Sequence, residues 1–127
     1  MKKDDHKLKN DNFIEACNNA VNGIIYAATT QRNIRIQLVL AVIIMMLSLF
    51  YGLNTTEFLC LVFAVFMVIF AEMINTAIET VVDLFVDVYH PKAKIAKDVA
   101  AGAVLIFAIS SAIIGLIIFI PKIIAIL

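Results

Sequence analysis

The chain has 127 residues, 63% of them hydrophobic, and its mean hydropathy is +1.00. A soluble domain of this length contains about 45–50% apolar residues and cannot enclose such an excess in its core, so the composition favours a single domain embedded in a lipid bilayer. Ten Lys/Arg balance ten Asp/Glu, and this neutral balance indicates no nucleic-acid partner.

The N-terminal third predicts a tail followed by a surface helix. Residues 1–11 are charged and hold almost nothing to bury, so we expect a mobile tail. Asn12 or Asp11 can cap a helix over residues 13–35, in which apolar side chains recur every three or four positions. This helix is too polar to span a bilayer and should lie at the membrane surface, with Arg32 and Arg35 at its end.

Three apolar segments follow, and each predicts a membrane-spanning helix. The first is 36–53. The second is 57–88, apolar at first and polar in its second half, with Pro91 ending it; the third is 99–120, followed by Pro121. The predicted fold class is therefore an all-α integral membrane protein, with an N-terminal amphipathic surface helix and three transmembrane helices in one domain over residues 1–127.

The distribution of basic residues predicts the orientation of the chain in the membrane. Cytoplasmic segments of membrane proteins carry an excess of Lys and Arg. The basic residues of the chain concentrate before the first span and between the second and third: Lys2, Lys3, Lys7, Lys9, Arg32, Arg35, Lys92, Lys94 and Lys97. We therefore expect a multi-pass protein with a cytoplasmic N-terminus and an external C-terminus.

Four polar residues of the second span fall on one stripe. Glu72, Asn75, Glu79 and Asp83 are spaced 3, 4 and 4 residues apart, which places them within about 80° of one helix face. An acid at the centre of a membrane helix costs about 2.5–3.5 kcal/mol, so such residues usually mark functional sites. Polar stripes also join helices, and Asp83 lies close enough to the interface to be explained by hydration alone.

Lys97 lies in the last polar turn before the third span and can reach Glu79 or Asp83, although it is equally well explained as an ordinary cytoplasmic lysine. Acids with a lysine at this interface suit two chemistries. One is a proton or cation path, and the other is Mg²⁺–phosphate chemistry, in which carboxylates hold the metal. The periodicity leaves both open, and the chain contains neither a Walker A motif nor a kinase glycine-rich loop.

Several motifs of the chain resemble the small bacterial diacylglycerol kinases and their Gram-positive relatives, the undecaprenol kinases. The strongest are AEMINTAIETVVD over residues 71–83 and AKDVAAGAV over residues 96–104. QRNIRIQ over residues 31–37 is a third, and GLIIFIPK over residues 115–122 is most similar to the undecaprenol kinase branch.

The resemblance implies a homotrimer that transfers the ATP γ-phosphate to a membrane lipid hydroxyl with Mg²⁺ as cofactor. It implies that Glu72 is the general base and that Glu79 binds the metal–ATP complex. The other residues that it places at the nucleotide site are Asn75, Asp83, Tyr89, His90, Lys97 and Asp98.

One position departs from the family pattern. The family usually has a glutamate as second metal ligand where this chain has Gln31, so Gln31 should hold Mg²⁺ more weakly and reduce activity. The resemblance favours undecaprenol as substrate, with diacylglycerol as the alternative. A small proton- or cation-conducting helix bundle is the alternative from another class.

Overall fold

Four α-helices make up the described part of the chain, residues 12–127 of the computed structural model. The predicted mobile tail, residues 1–11, lies outside the described residues. Within them the structure contains no strand, which confirms the all-α prediction. The helices are α1 (Phe13–Thr30), α2 (Arg32–Tyr51), α3 (Thr55–Phe85) and α4 (Pro91–Ile126).

The surface helix is shorter than the predicted 13–35. Its start is capped by Asn12, whose side chain accepts a hydrogen bond from the Glu15 amide at 2.8 Å. It ends at Thr30, because Gln31 adopts an extended backbone (φ −102°, ψ 114°) that separates α1 from α2. Arg35 therefore lies in α2, where its guanidinium donates to the Thr29 carbonyl at 2.8 Å and satisfies an acceptor that the end of α1 leaves free. The placement of Arg32 at the end of the surface helix is likewise corrected, since Arg32 is the first residue of α2.

The first two spans are joined by a tight turn. The first span, predicted over 36–53, extends instead over Arg32–Tyr51 and ends at Gly52, whose φ of 63° favours glycine. The second span starts at Thr55, two residues earlier than predicted. Asn54 and Glu57 form a capping box there, in which each side chain bonds the other's backbone amide.

The two prolines have different roles from those predicted. α3 ends at Phe85, before the predicted residue 88, and Pro91 starts α4 instead of ending α3. Proline fits the first turn of a helix because its missing N–H would have no partner there. α4 spans Pro91–Ile126, so it extends beyond the predicted 99–120 at both ends and continues through Pro121. Lys122, next to that proline, forms an ion pair with Glu57 of α3 at 3.1 Å.

Helices α2, α3 and α4 are each long and apolar enough to cross a membrane. The 20 residues of α2 alone extend about 30 Å, the thickness of the hydrocarbon core. The three helices expose apolar side chains, such as Phe63 of α3 and Ile106 of α4, which are 65% and 68% exposed. α3 packs mainly against α4, where the Ser111 hydroxyl donates to the Ala64 carbonyl at 3.1 Å. The prediction of three membrane helices and one N-terminal helix is confirmed.

Candidate active site

Glu72 is a buried carboxylate in the second half of α3, with a side chain only 3% exposed. Its two oxygens accept long hydrogen bonds of 3.5 Å from α2, one from Asn33 Nδ2 and one from Gln37 Nε2. Neither donor carries charge, and no cation within residues 12–127 pairs with Glu72. The acid is therefore held in position by two long hydrogen bonds from neutral side chains.

Sequence reasoning missed Asn33 and Gln37 as the partners of Glu72. Gln37 is one of the few polar residues in the apolar sequence of α2. A signal existed, because positions 33 and 37 are four residues apart and so lie on the same face of α2. What the sequence lacked was the pairing of this face with Glu72, which depends on how α2 packs against α3.

The remaining stripe residues become more exposed toward the end of α3. Asn75 is buried, Glu79 is partly buried and Asp83 is exposed. Asn75 Nδ2 donates to Glu79 Oε1 at 3.3 Å, so these two side chains, about one and two turns along from Glu72, form a pair. The predicted stripe is thus a gradient from an apolar interior to the interface.

Lys97 of α4 meets the exposed end of this stripe. Its Nζ lies 2.5 Å from Asp83 Oδ1, which places it at Asp83, one of the two partners expected from the sequence. Next to it, Lys94 pairs with Asp98 at 2.6 Å along one side of α4. Because both pairs are substantially exposed, they contribute little stability and can exchange partners with an arriving anion.

A recess of about 210 Å³ lies beside these ion pairs, between the end of α3 and the start of α4. Four of the residues that sequence reasoning assigned to the nucleotide line it: Tyr89, His90, Lys97 and Asp98. His90 has a structural role as well, since its Nδ1 accepts from the Lys92 amide at 3.2 Å and caps α4. The recess is small and open, and aromatic, cationic and acidic groups all line it.

The donor set suits a Mg²⁺ ion that arrives with phosphates better than a preformed metal site. In the described part of the chain, no three His, Cys, Asp or Glu side chains cluster to hold a metal. Mg²⁺ in phosphoryl-transfer sites needs only one or two protein oxygens, since phosphates and water supply the rest. Glu79 offers a carboxylate, and Asn75 Oδ1 is buried without a hydrogen-bond partner and can supply a neutral oxygen.

Gln31 occupies the extended junction between α1 and α2 and is partly buried. Its amide N–H donates to the Ala27 carbonyl at 2.9 Å and its own carbonyl accepts from Arg35 N at 3.3 Å. Its side chain makes no capping hydrogen bond to α2. The position is fixed by backbone bonds, which leaves the side chain available, and its role as a metal ligand stays a prediction.

Comparisons with known proteins agree with the resemblance. The family model described as prokaryotic diacylglycerol kinase matches residues 18–119, a range that includes every site residue named above. A protein of Bacillus subtilis named undecaprenol kinase is 38% identical over 122 residues, covering 96% of this chain and 99% of that protein. A protein of Synechocystis named diacylglycerol kinase is 40% identical over 106 residues, covering 83% of this chain and 61% of that protein.

Proposed function

The chain belongs to the prokaryotic diacylglycerol kinase family and is a lipid kinase, and on that premise we propose that it transfers the γ-phosphoryl group of ATP to undecaprenol. The observation that carries the proposal is Glu72, a carboxylate buried inside a membrane helix with only neutral partners. A water-soluble acceptor would have no need of a base at this depth.

Glu72 acts as the general base on the lipid hydroxyl. Asn33 and Gln37 hold its two oxygens through uncharged donors, and a carboxylate within hydrogen-bond reach of the hydroxyl can take its proton. Its position in the apolar part of α3 suits an alcohol that arrives from the bilayer. The proton of the hydroxyl passes to Glu72 as the oxygen attacks the γ-phosphorus. The bond from that phosphorus to the β,γ-bridging oxygen breaks, and ADP leaves.

Asn75 and Glu79, about one and two turns closer to the interface than Glu72, would hold the metal–nucleotide complex. Mg²⁺, when bound with ATP, neutralises charge on the phosphate oxygens. Glu79 contributes a charged oxygen and Asn75 its unpaired Oδ1, and their mutual hydrogen bond orients both side chains. Gln31 takes the place of the second acidic ligand with a neutral amide.

The recess between α3 and α4 binds the nucleotide. Lys97 leaves Asp83 to pair with the phosphates, while Asp98 and His90 face the sugar and base. Tyr89 is 77% exposed and presents its ring to the same region. This arrangement gives a role to the lysines at this end of the helices.

Two further features of the proposal concern the substrate and the assembly. Undecaprenol is preferred over diacylglycerol because the relative named undecaprenol kinase matches this chain over nearly the full length of both proteins. The protein acts in the cell membrane, with its N-terminus in the cytoplasm, its C-terminus outside, and its chains assembled as homotrimers.

A proton- or cation-conducting bundle is disfavoured, since α3 has no charged residue between Glu57 and Glu72 to continue a path.

The test is a phosphorylation assay of the purified protein in mixed micelles with labelled ATP and Mg²⁺. Undecaprenol and diacylglycerol are supplied separately at equal mole fractions. We expect label in both lipids, with the higher kcat/KM for undecaprenol. Label in neither lipid at any Mg²⁺ concentration would contradict the proposed activity of this chain.

A further inference from the structure

A single residue joins the surface helix α1 to the first span α2. Gln31 is the only residue between Thr30, where α1 ends, and Arg32, where α2 begins, and its backbone is extended. Because peptide bonds are planar, the direction of α1 relative to α2 is set mainly by the φ and ψ of this one residue. A change in its ψ also turns the Gln31 side chain relative to α2. The direction of α1 and the aim of this side chain are therefore coupled.

Packing alone holds α1 weakly. Within Phe13–Thr30 only Ala27 is buried, and its side chain is a single methyl group. The hydroxyls of Thr29 and Thr30 bond back to the Tyr26 carbonyl of their own helix, at 3.1 and 2.6 Å. A helix that lies on a membrane keeps its depth through its apolar face, but that face does not fix its direction in the membrane plane. The junction with α2 must therefore set this direction.

Arg35 binds this junction at two points. Its guanidinium Nη1 donates to the Thr29 carbonyl at 2.8 Å, and its backbone N–H donates to the Gln31 carbonyl at 3.3 Å. The first bond is charge-assisted, and a cation is favoured at the C-terminal end of a helix such as α1. Ile34, the preceding residue, is only 2% exposed, so packing fixes α2 at this point. Arg35 thus ties the last turn of α1 to a fixed part of α2.

We propose that Arg35 is a positioning residue, which holds α1 against α2 so that the Gln31 side chain stays directed toward the metal–nucleotide complex. The inference rests on the proposed function, in which Gln31 takes the place of the second acidic ligand. A neutral amide attracts Mg²⁺ less than a carboxylate does, so its contribution depends more on being held in place beforehand. Arg35 acts through the backbone of the junction and touches neither metal nor phosphate.

The first measurement needs no metal, nucleotide or lipid. The chain has two cysteines, Cys17 in α1 and Cys60 in α3, and both are free and exposed. Spin labels on this native pair report the direction of α1 relative to the spans, and an excess of unlabelled protein keeps each measured distance within one chain. We expect Arg35→Gln to broaden the distance distribution. Arg32→Gln, which removes the same charge from the first residue of α2, should leave it unchanged.

The second measurement is a double-mutant cycle on the affinity for Mg²⁺–ATP, determined by titration in detergent. Arg35→Gln should raise the Kd about fivefold in the native background, and less than about twofold when Gln31→Ala is already present. Arg32→Gln should not change the Kd in either background. If Arg35→Gln does not fold, Arg35→Met replaces it, because methionine keeps an apolar stem and removes every donor.

Three results would overturn the inference. One is a native distance distribution in the folded Arg35 variant. Another is an equal loss of affinity with and without the Gln31 side chain, which would mean that Arg35 meets the phosphates directly. The third is an equal loss in Arg32→Gln, which would indicate a general effect of charge.

Failure of the proposed function gives a different result. A native protein that phosphorylates neither lipid refutes the lipid kinase activity of this chain. The distance measurement is made on the protein alone, so it still shows whether Arg35 fixes α1. A junction that does not depend on Arg35 is thereby distinguished from a chain that lacks activity.

Discussion

At the scale of single residues, the candidate site separates a buried carboxylate from a peripheral cation. Glu72 is buried and has neutral partners, while Lys97 is half-exposed and pairs with Asp83. The side chains on this one stripe therefore experience different surroundings, although their spacing in the sequence is nearly uniform. Depth along α3 is what divides their roles.

The first prediction is that Glu72→Gln lowers kcat about 10²–10⁴-fold, the range for loss of a general base, with little change in ATP affinity. Lys97→Ala should weaken ATP binding and lower kcat together, because this cation is proposed to pair with the phosphates. Glu57→Gln is the control: it changes an acid of the same helix at its opposite end and keeps an acceptor for the Asn54 amide. Steady-state kinetics and nucleotide titration measure the effects, and equal losses of ATP affinity in both variants would refute the division of roles.

A second prediction concerns Gln31. Gln31→Glu should strengthen Mg²⁺-dependent ATP binding and raise activity at limiting Mg²⁺, since a carboxylate is a better ligand for a hard cation than an amide. A pair of unit charges about 4 Å apart gains about 4 kcal/mol at an effective dielectric of 20, before desolvation is subtracted. Activity is measured against Mg²⁺ concentration, with Asn22→Asp as a control that adds the same charge elsewhere on the chain. An unchanged Mg²⁺ dependence would place Gln31 away from the metal.

At the scale of helices, the sequence predicted which segments are helical better than where they begin and end. Apolar length identified all three spans, since only lipid or a large core can cover such runs. The errors occur at Gln31, Pro91 and Pro121, where backbone conformation or a distant contact decides. Lys122 reaches Glu57 only because α4 continues past Pro121, and no local pattern encodes that pairing.

The same limit applies to the site. The stripe on α3 followed from a 3.6-residue period, and the Lys97–Asp83 contact followed from a short connection between neighbouring helices. The bonds from Asn33 and Gln37 to Glu72 depend on the rotation of α2 about its axis. Periodicity gives no such rotation for a helix that is apolar nearly all round.

The third prediction tests the cap of α3. Asn54→Ala removes the acceptor for the Glu57 amide, one half of the capping box, and should cost about 1 kcal/mol of stability. Asn12→Ala removes the equivalent cap from α1 and serves as the control, since α1 lies outside the three spans. Thermal unfolding in detergent should show a lower midpoint for Asn54→Ala than for Asn12→Ala. Equal midpoints would mean that packing, and not the cap, fixes the start of α3.

At the scale of the whole molecule, charge is distributed unequally between the two ends of the helices. The junction of α1 with α2 and the start of α4 carry Arg32, Arg35, Lys92, Lys94 and Lys97. The opposite end has the uncharged turn from Gly52 to Asn54 and a single lysine, Lys122, which is neutralised by Glu57. The candidate nucleotide recess lies at the basic end, where ATP is available only if that end faces the cytoplasm.

The last prediction is therefore that the basic end is cytoplasmic and that Leu127 lies outside. Because the chain has three candidate spans, its N-terminus and C-terminus lie on opposite sides of the membrane. Lys and Arg in short loops are retained in the cytoplasm. A phosphatase reporter that folds only outside should be active when fused after Asn54 or Leu127, and inactive when fused after His90. A fluorescent reporter that folds only in the cytoplasm should give the reverse pattern. A cytoplasmic Leu127 would contradict the orientation and would leave the recess on the side without ATP.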